Sequence, residues 1–402
     1  MPLYSKVYSV PYILIFSVLF LLSIKFGCKN NKINLEMQFL QERISFFILF
    51  VFLGLRGFIQ SDWRSYYDAF LKAPTFFDGN ERMNYFVNKG AYSDWEKGFL
   101  LLYIICKSMV SEWCFFQAFS FVFDFVIAFH FIRSFVPKHK VMGICFYFVC
   151  GALLYDVNLM RNSKSIMLFC LSLKFITSKK FIPYLLLNLL GMLFHASAVV
   201  FIPLYFILGC KPSKKLMLFI FILGNTIYIL QIHWVQSILG LIAGIIGGRL
   251  GVITIGYLSN VKWTTGYGIS IGYLERILTF LLAIHFMDRL LQKQRENNVI
   301  LNLVFIYIFS TLFLSEMSIL TDRIGPLFLF SYWVFYPQIY EFLNKEKKIM
   351  FLMIFFAYSV MKILSGYGML PCLYDNLLVQ KYSVQERKIW LNRFYTFLMK
   401  GE

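Results

Sequence analysis

The stretch WCFFQAFSFVFDFVIAFHF, residues 113–131, decides the fold. It is apolar on nearly every side, spans about 28 Å at the helical rise, and runs straight into Arg133, Lys138 and Lys140. That length matches the hydrocarbon layer of a bilayer, and the basic cluster behind it marks a cytoplasmic turn. Working outward, comparable apolar runs cover 8–26, 44–58, 141–155, 163–176, 216–232, 273–287, 301–314, 324–340 and 349–364. Of 402 residues, 59% are hydrophobic and 15% charged, which excludes a water-soluble globule and a single-pass receptor. The sequence predicts an all-α polytopic membrane protein, residues 1–402 forming one integral membrane domain of about twelve transmembrane helices (10–13).

Charge gives the orientation. Lys and Arg number 39 against 21 Asp and Glu, a formal balance of +18, and many of the basic residues stand in short turns between apolar runs. The orientation rule accounts for this excess, so no nucleic acid is needed to explain it. Lys25, Lys29, Lys32 and Arg43 follow the first run, so the amino terminus is expected outside, and the first run is expected to stay as a helix, not a cleaved leader. The longest wet stretch belongs to an extracytoplasmic loop expected over 56–112. From Arg56 to Lys97 it carries six basic and six acidic residues, and its Trp63, Tyr66, Tyr67, Phe70, Tyr85, Tyr92 and Trp95 argue for order against the membrane surface.

Three stretches are too short or too awkward for a straight crossing. Residues 99–109 read as an interfacial helix, and 235–246 as a glycine-rich re-entrant piece within an outer segment over 235–272. Between Lys180 and Lys211 both ends carry the cytoplasmic mark, so two short helices turning near His195 are expected. The basic tail, 372–402, fits the outer side least well; a surface helix bearing Trp390, Phe394 and Phe397 is one form for it. The eight cysteines never form a C-x-x-C pair and suit hydrophobic packing better than disulfides or zinc.

Charges at the edge of hydrocarbon are costly and draw attention to themselves. Arg56, Arg161, Arg249, Arg276 and Arg323 all fall at or near outer helix ends, against the orientation rule. A diphosphate would partner such guanidinium groups; Asp62, Glu275, Glu316, Asp322 and lipid headgroups are the plainer partners. Asp62, followed by Tyr66 and Tyr67, suits the deprotonation of a sugar hydroxyl as well as it suits a solvated loop. Glu96 opens the short outer helix, where capping and site construction are both open readings. His195, midway through an apolar stretch beside Ala196, Ser197 and Ala198, reads as a proton acceptor or as a packed histidine. No G-x-x-x-x-G-K-[ST], H-E-x-x-H or G-x-S-x-G occurs, and no D-x-D stands on an outer loop. Transfer chemistry here would therefore rest on arginines, with no metal and no cofactor expected.

These residues carry a resemblance. Leu55-Arg56-Gly57, Asp62, Tyr66, Tyr67 and Phe70 are similar to the opening pattern of the EpsG-like, Wzy-type bacterial polysaccharide polymerases. Glu96-Lys97-Gly98-Phe99 resembles their Glu-x-Gly-aromatic step, and Phe194-His195-Ala196-Ser197-Ala198 their Phe-His-x-Ser-Ala stretch. Met160-Arg161-Asn162 stands where the family usually has Arg-Gln, and Gly268 to Leu274 resembles its glycine-containing approach to a late helix. The resemblance covers about residues 44–340. It implies a glycosyltransferase-type enzyme of the bacterial cytoplasmic membrane, with its active site facing outward and a GT-C-like architecture within reach. Such an enzyme joins oligosaccharide repeat units carried on undecaprenyl diphosphate, whether for O-antigen, capsule or exopolysaccharide. Membrane lipids, a flippase and a chain-length regulator are the implied partners. On this reading Asp62, His195 and Arg161 are catalytic, and Arg56, Arg161, Arg249, Arg276, Arg323, Tyr66 and Glu96 bind the substrate and its diphosphate. A lipid-linked oligosaccharide flippase and a membrane O-acyltransferase are the rival readings.

Overall fold

A computed structural model describes residues 1–24, 31–246 and 268–400. Among the described residues every regular element is helical. In chain order the principal helices are α1 (Val10–Ser23), α2 (Asn31–Leu49), α3 (Trp63–Lys72), α4 (Asn80–Asn88), α5 (Lys97–Met109) and α6 (Trp113–Phe135). Next come α7 (Lys140–Tyr147), α8 (Met160–Ser172), α9 (Phe181–Met192), α10 (Lys214–Leu230), α11 (Trp234–Ile246), α12 (Ile271–Lys293) and α13 (Asn297–Phe313). The last two are α14 (Lys345–Tyr367) and α15 (Val384–Lys400). They divide into two compact units, one of Met1–Phe175, Lys179–Pro203 and Tyr336–Glu402, the other of Ile176–Ser178 and Leu204–Phe335.

Among the described residues, four continuous helical spans are long and apolar enough to cross a membrane: Lys6–Ser23, Glu36–Gly54, Trp113–Phe135 and Lys345–Tyr367. Lys214–Leu230 and Trp234–Leu241, bent by 87° at their junction, make a fifth if they count as one broken span. The sequence predicted about twelve. The difference has a local cause: many of the apolar runs form helices of 10–17 residues, such as Lys140–Tyr155, Phe181–Met192, Ala196–Leu208 and Asn297–Phe313. Breakers lie inside several runs. Pro203 sits in the tight 3-10 helix Ala196–Leu204, Pro326 opens another at Gly325–Ser331, and π-helical turns widen the chain at Phe50–Gly54 and Phe148–Ala152. The long spans still present apolar side chains outward, among them Leu14, Leu21, Phe47, Val126, Ile349 and Met353, a surface that lipid accommodates and water does not. The chain is a membrane protein.

In the first unit, hydrogen bonds sort the helix ends. Ser5 N–H donates to Gly368 O and Leu370 N–H to Leu3 O, both at 2.8 Å, while Gly57 N–H donates to Asp375 O and Leu377 N–H to Leu55 O at the same distance. The amino terminus, the end of α14, the 55–112 region and the tail therefore share one end. At the other end Lys140 pairs with Glu42 at 2.5 Å and Gln38 donates to Pro137 O at 3.1 Å. The tail is a helix, as anticipated, but it is tied down. Phe394 and Phe397 pack on Tyr4, and buried Arg387 lies 3.5 Å from Asp375 while donating to Leu373 O at 2.6 Å.

The 55–112 region is ordered around an aromatic core. Trp63, Tyr66 and Phe70 of α3 pack with Phe99 and Tyr103 of α5, Trp113 and Phe116 of α6, and Met160 of α8. Apolar and aromatic residues three or four apart put one face of α3 and α5 inward. Lys107 closes the bottom of α3 by donating to the carbonyls of Phe70, Leu71 and Ala73 at 3.0, 2.7 and 2.6 Å. The expected turn near His195 is present: α9 stops at Met192 and the next helix begins at Ala196.

Candidate functional site

Two glycines bring the site together. Gly98, at the start of α5, donates to Leu193 O at 2.8 Å, and a Cβ there would lie 2.7 Å from that oxygen. Gly57 donates to Asp375 O, and its Cβ would lie 2.9 Å from Asp375 Cβ. Any side chain at either position would push apart two backbones, so α5 meets the His195 turn, and the Arg56 loop meets the tail, only through glycine.

The first of these contacts puts Glu96 beside the turn. Glu96 is the residue before α5, yet its side chain makes no bond to its own helix. One carboxylate oxygen accepts from Ala196 N–H at 3.1 Å, and the other accepts from Arg161 Nη1 at 2.7 Å. Of the two readings the sequence left open, the carboxylate thus joins α5, α8 and the turn. The Arg161 guanidinium lies 4.5 Å over the Trp95 ring, and its Nε is buried with no hydrogen-bond partner among the described residues. A cation stacked on indole with one donor engaged and another unpaired is poised to take an oxyanion.

Asn162 and His195 complete the turn. Asn162 Oδ1 accepts from Ser197 Oγ at 2.9 Å and from Ser165 Oγ at 3.0 Å, so it ties α8 to the turn. The position that departs from the family's Arg-Gln pattern thus has a bonding role of its own. His195 Nδ1 accepts from Ser197 N–H at 3.2 Å and lies 2.7 Å from Ser197 Oγ. An acceptor at Nδ1 favours the neutral tautomer that carries its proton on Nε2.

Asp62 stands at the mouth of the Arg56 loop. Its Oδ1 accepts from Ser61 Oγ at 2.8 Å, and its own N–H donates to Asn158 Oδ1 at 3.2 Å. Tyr66, 5% exposed, donates toward Asn158 O at 3.4 Å and lies within hydrogen-bonding reach of Arg161. Burial, reinforced by the Asp62 charge, pushes its hydroxyl up to about 12, so it stays protonated at neutral pH.

Arg56 is placed differently. It is 2% exposed, donates to Leu53 O at 2.6 Å and to Asp156 O, and touches the Met160 sulfur. The π-helical turn before it offers the Leu53 carbonyl, and burial lowers its guanidinium to about 10, so it remains charged. Its geometry holds the start of α8 from behind. The sequence reading missed what lies deeper. Lys164 donates to Asp124 Oδ2 at 2.5 Å, Ser163 Oγ donates to the same oxygen at 2.7 Å, and Tyr147 donates to Asp156 Oδ2 at 2.6 Å. A lone acid inside an apolar run and a base one turn beyond Arg161 were the signals for it.

Arg276 and Arg323 belong to the second unit, and Arg249 lies outside the described residues. Arg323 is exposed on Ser318–Ile324, and Arg276 lines a cavity with Asp322. Glu316 accepts from Val235 N–H, which caps α11. Among the described residues no three His, Cys, Asp or Glu side chains converge in a way that holds a metal ion.

The EpsG family model matches residues 39–379. The chain belongs to the EpsG family. This is a Wzy-like polysaccharide polymerase family, and the match runs through every segment just described, from α2 to the tail that covers Gly57. No curated protein and no solved structure matches the chain.

Proposed function

We propose that this EpsG family member joins oligosaccharide repeat units carried on undecaprenyl diphosphate, at the outer face of the bacterial cytoplasmic membrane. The observation that carries the proposal is Arg161: stacked on Trp95, fixed by Glu96, and left with a buried Nε that has no acceptor among the described residues. The acceptor hydroxyl forms its bond to the anomeric carbon of the donor as the bond from that carbon to the diphosphate oxygen breaks. The diphosphate leaves with the electron pair, and the hydroxyl proton passes to Asp62. Arg161 stabilises the charge that grows on the leaving oxygen, and Nε2–H of His195 donates within the same mouth. Arg56 braces α8 from behind. A flippase that delivers the lipid-linked units and a chain-length regulator are the partners such a reaction implies.

Charge supports the orientation. Arg133, Lys138, Lys140, Lys345, Lys347 and Lys348 gather where α6, α7 and α14 share an end, opposite the end that holds Glu96 and Arg161. A carrier for the same lipid is the second reading, favoured by the 87° break between α10 and α11. One assay separates the two. Purified protein in lipid is mixed with a lipid-linked repeat unit, without nucleotide or metal. A ladder of longer glycans is expected, and unchanged substrate with folded protein defeats the polymerase reading.

A further inference from the structure

Within the first unit, α1 and α14 run side by side in opposite directions and leave a groove of about 570 Å³ between them, open along its length. Its walls are two matching apolar stripes. Ser17, Leu21 and Ile24 stand at i, i+4 and i+7 on one wall, and Ile349, Met353 and Phe356 repeat that spacing on the other. Leu21, Ile349 and Met353 are each more than half exposed. Toward the amino terminus and the tail, aromatic rings close the groove. Tyr12 meets Tyr367 at 4.6 Å, and Phe356 meets Phe16 at 5.7 Å and Phe20 at 5.1 Å. The other end, at Ile24 and Ile349, is the basic end of the unit.

Length and charge decide what fits. Seven residues at the helical rise make about 10 Å. Half of the hydrocarbon layer is about 15 Å thick, so the groove belongs to the one leaflet at the basic end. A lipid tail arriving from the opposite leaflet would meet the ring contacts first. Helical periodicity then carries the α14 wall on to a cation: Lys345 stands four residues before Ile349, on the same face and one turn nearer the water. Lys345 is exposed and makes no ion pair among the described residues. Lys348, on the flank of the stripe, lies 5.2 Å over the Tyr340 ring. Glu346 stands on the other flank and offsets one of the three lysines in 345–348, which leaves that turn at +2. An acyl-sized slot that ends at a net positive turn complements a lipid whose headgroup is net negative.

We propose that the groove between α1 and α14 is a binding site for one anionic phospholipid of the leaflet at the basic end, with an acyl chain between the two stripes and its phosphate at Lys345. The lipid fills the space that the two helices leave open and ties their ends together. The site takes no part in the transfer reaction, so it does not depend on the polymerase reading.

The test uses the full chain purified in a mild detergent, with lipid binding measured by native mass spectrometry. The probes are phosphatidylglycerol and phosphatidylcholine with the same acyl chains. Phosphatidylglycerol is expected to bind about tenfold more tightly or better. Lys345→Gln should weaken it about fivefold, the worth of one lysine at an anionic surface, and leave phosphatidylcholine unchanged. Glu346→Gln should strengthen phosphatidylglycerol binding by a similar factor. Ser17→Leu and Met353→Trp fill the groove from its two walls, and each should weaken both lipids while the lipid-free protein keeps its unfolding temperature. The proposal is overturned if phosphatidylcholine binds as tightly as phosphatidylglycerol, if Lys345→Gln leaves the preference unchanged, or if both groove variants fold and bind lipid like the wild type. It is also overturned if a polyprenyl phosphate displaces bound phosphatidylglycerol better than phosphatidylglycerol itself does, since the groove would then seat a polyprenyl tail.

Discussion

Two cations stand one turn apart on α8 and meet opposite environments. Lys164 and Asp124 form an ion pair whose side chains are 1% and 0% exposed, whereas Arg161 and Glu96, at 25% and 18%, pair at the mouth against Trp95. The inner pair has Ser163 as a further donor and fixes α8 against α6 in a region that water does not reach. The outer pair leaves Arg161 Nε without an acceptor among the described residues. The contrast teaches that neighbouring charges on one helix can meet different degrees of burial. On the proposed function, the deep charge holds position and the shallow one meets the ligand.

The sharpest way to break this contrast is to cut the inner pair. Removing one partner of a buried ion pair strands the other, at a cost of about 3–5 kcal/mol. Lys164→Ala and Asp124→Ala should each collapse the yield of monodisperse protein and lower its unfolding temperature in detergent. The double change Asp124→Leu with Lys164→Met, which strands no charge, should recover most of that loss. If the double variant folds well but makes no glycan, the inner pair is not merely an anchor and the distinction drawn here is wrong.

Cutting the outer pair should do the reverse. Arg161→Ala is expected to lower chain extension by about 10²–10³-fold, the usual cost of losing one preorganised oxyanion donor, with little change in thermal stability. A variant that extends glycan at the wild-type rate ends the case for Arg161. Glu96→Ala comes next, since it frees Arg161 and also orphans Ala196 N–H. We expect a loss of about tenfold from displaced guanidinium, and partial recovery in Glu96→Gln, which still accepts from Ala196. Measuring kcat and KM separately tells positioning from binding.

Part of this contrast was legible in the sequence. Arg161 and Glu96 stood out because positive charge at an outer helix end and an acid before a short helix both need a reason. The turn at His195 followed from lysines on both sides of one apolar stretch. Lys164 and Asp124 were hidden because each lies alone in its run, 40 residues apart, and only folding brings them within 2.5 Å. The bond from Asn162 to Ser197 was hidden for the same reason. The carbonyl partners of Arg56 were hidden too, because a sequence gives a guanidinium its charge but not its acceptors. The lengths of the individual helices were not legible, because hydropathy measures oiliness along the chain, while breakers such as Pro203 and Pro326 lie inside apolar runs.

Tyr66 sharpens the comparison at the edge of the mouth. Its pKa is raised in the folded protein, to about 12 against an ordinary 10, so the neutral hydroxyl is favoured by folding. Its contribution to stability is therefore fully present below pH 10, where the unfolded chain is also neutral, and is lost as pH rises from 10 through about 12. The difference between wild type and Tyr66→Phe in unfolding temperature should be flat from pH 6 to about 9 and should narrow above pH 10. A difference that stays flat above pH 10 would mean that the hydroxyl titrates alike in the folded and unfolded chain and that Tyr66 is not sealed beneath Arg161.

A third pair extends the gradient toward the surface. Lys388 of α15 and Asp68 of α3 meet at 3.0 Å with side chains 33% and 32% exposed, so water competes for both and salt screens what remains. Lys388→Ala should cost about 0.2–1 kcal/mol, less in high salt, and leave chain extension unchanged. The tail keeps its place through Arg387, Asp375 and Phe394, which are buried, so the loss of one rim contact does not release Gly57 or the Arg56 loop. If Lys388→Ala instead lowers activity by an amount comparable to Glu96→Ala, the tail acts on the mouth directly, and depth alone does not sort the charges of this unit into those that hold and those that act.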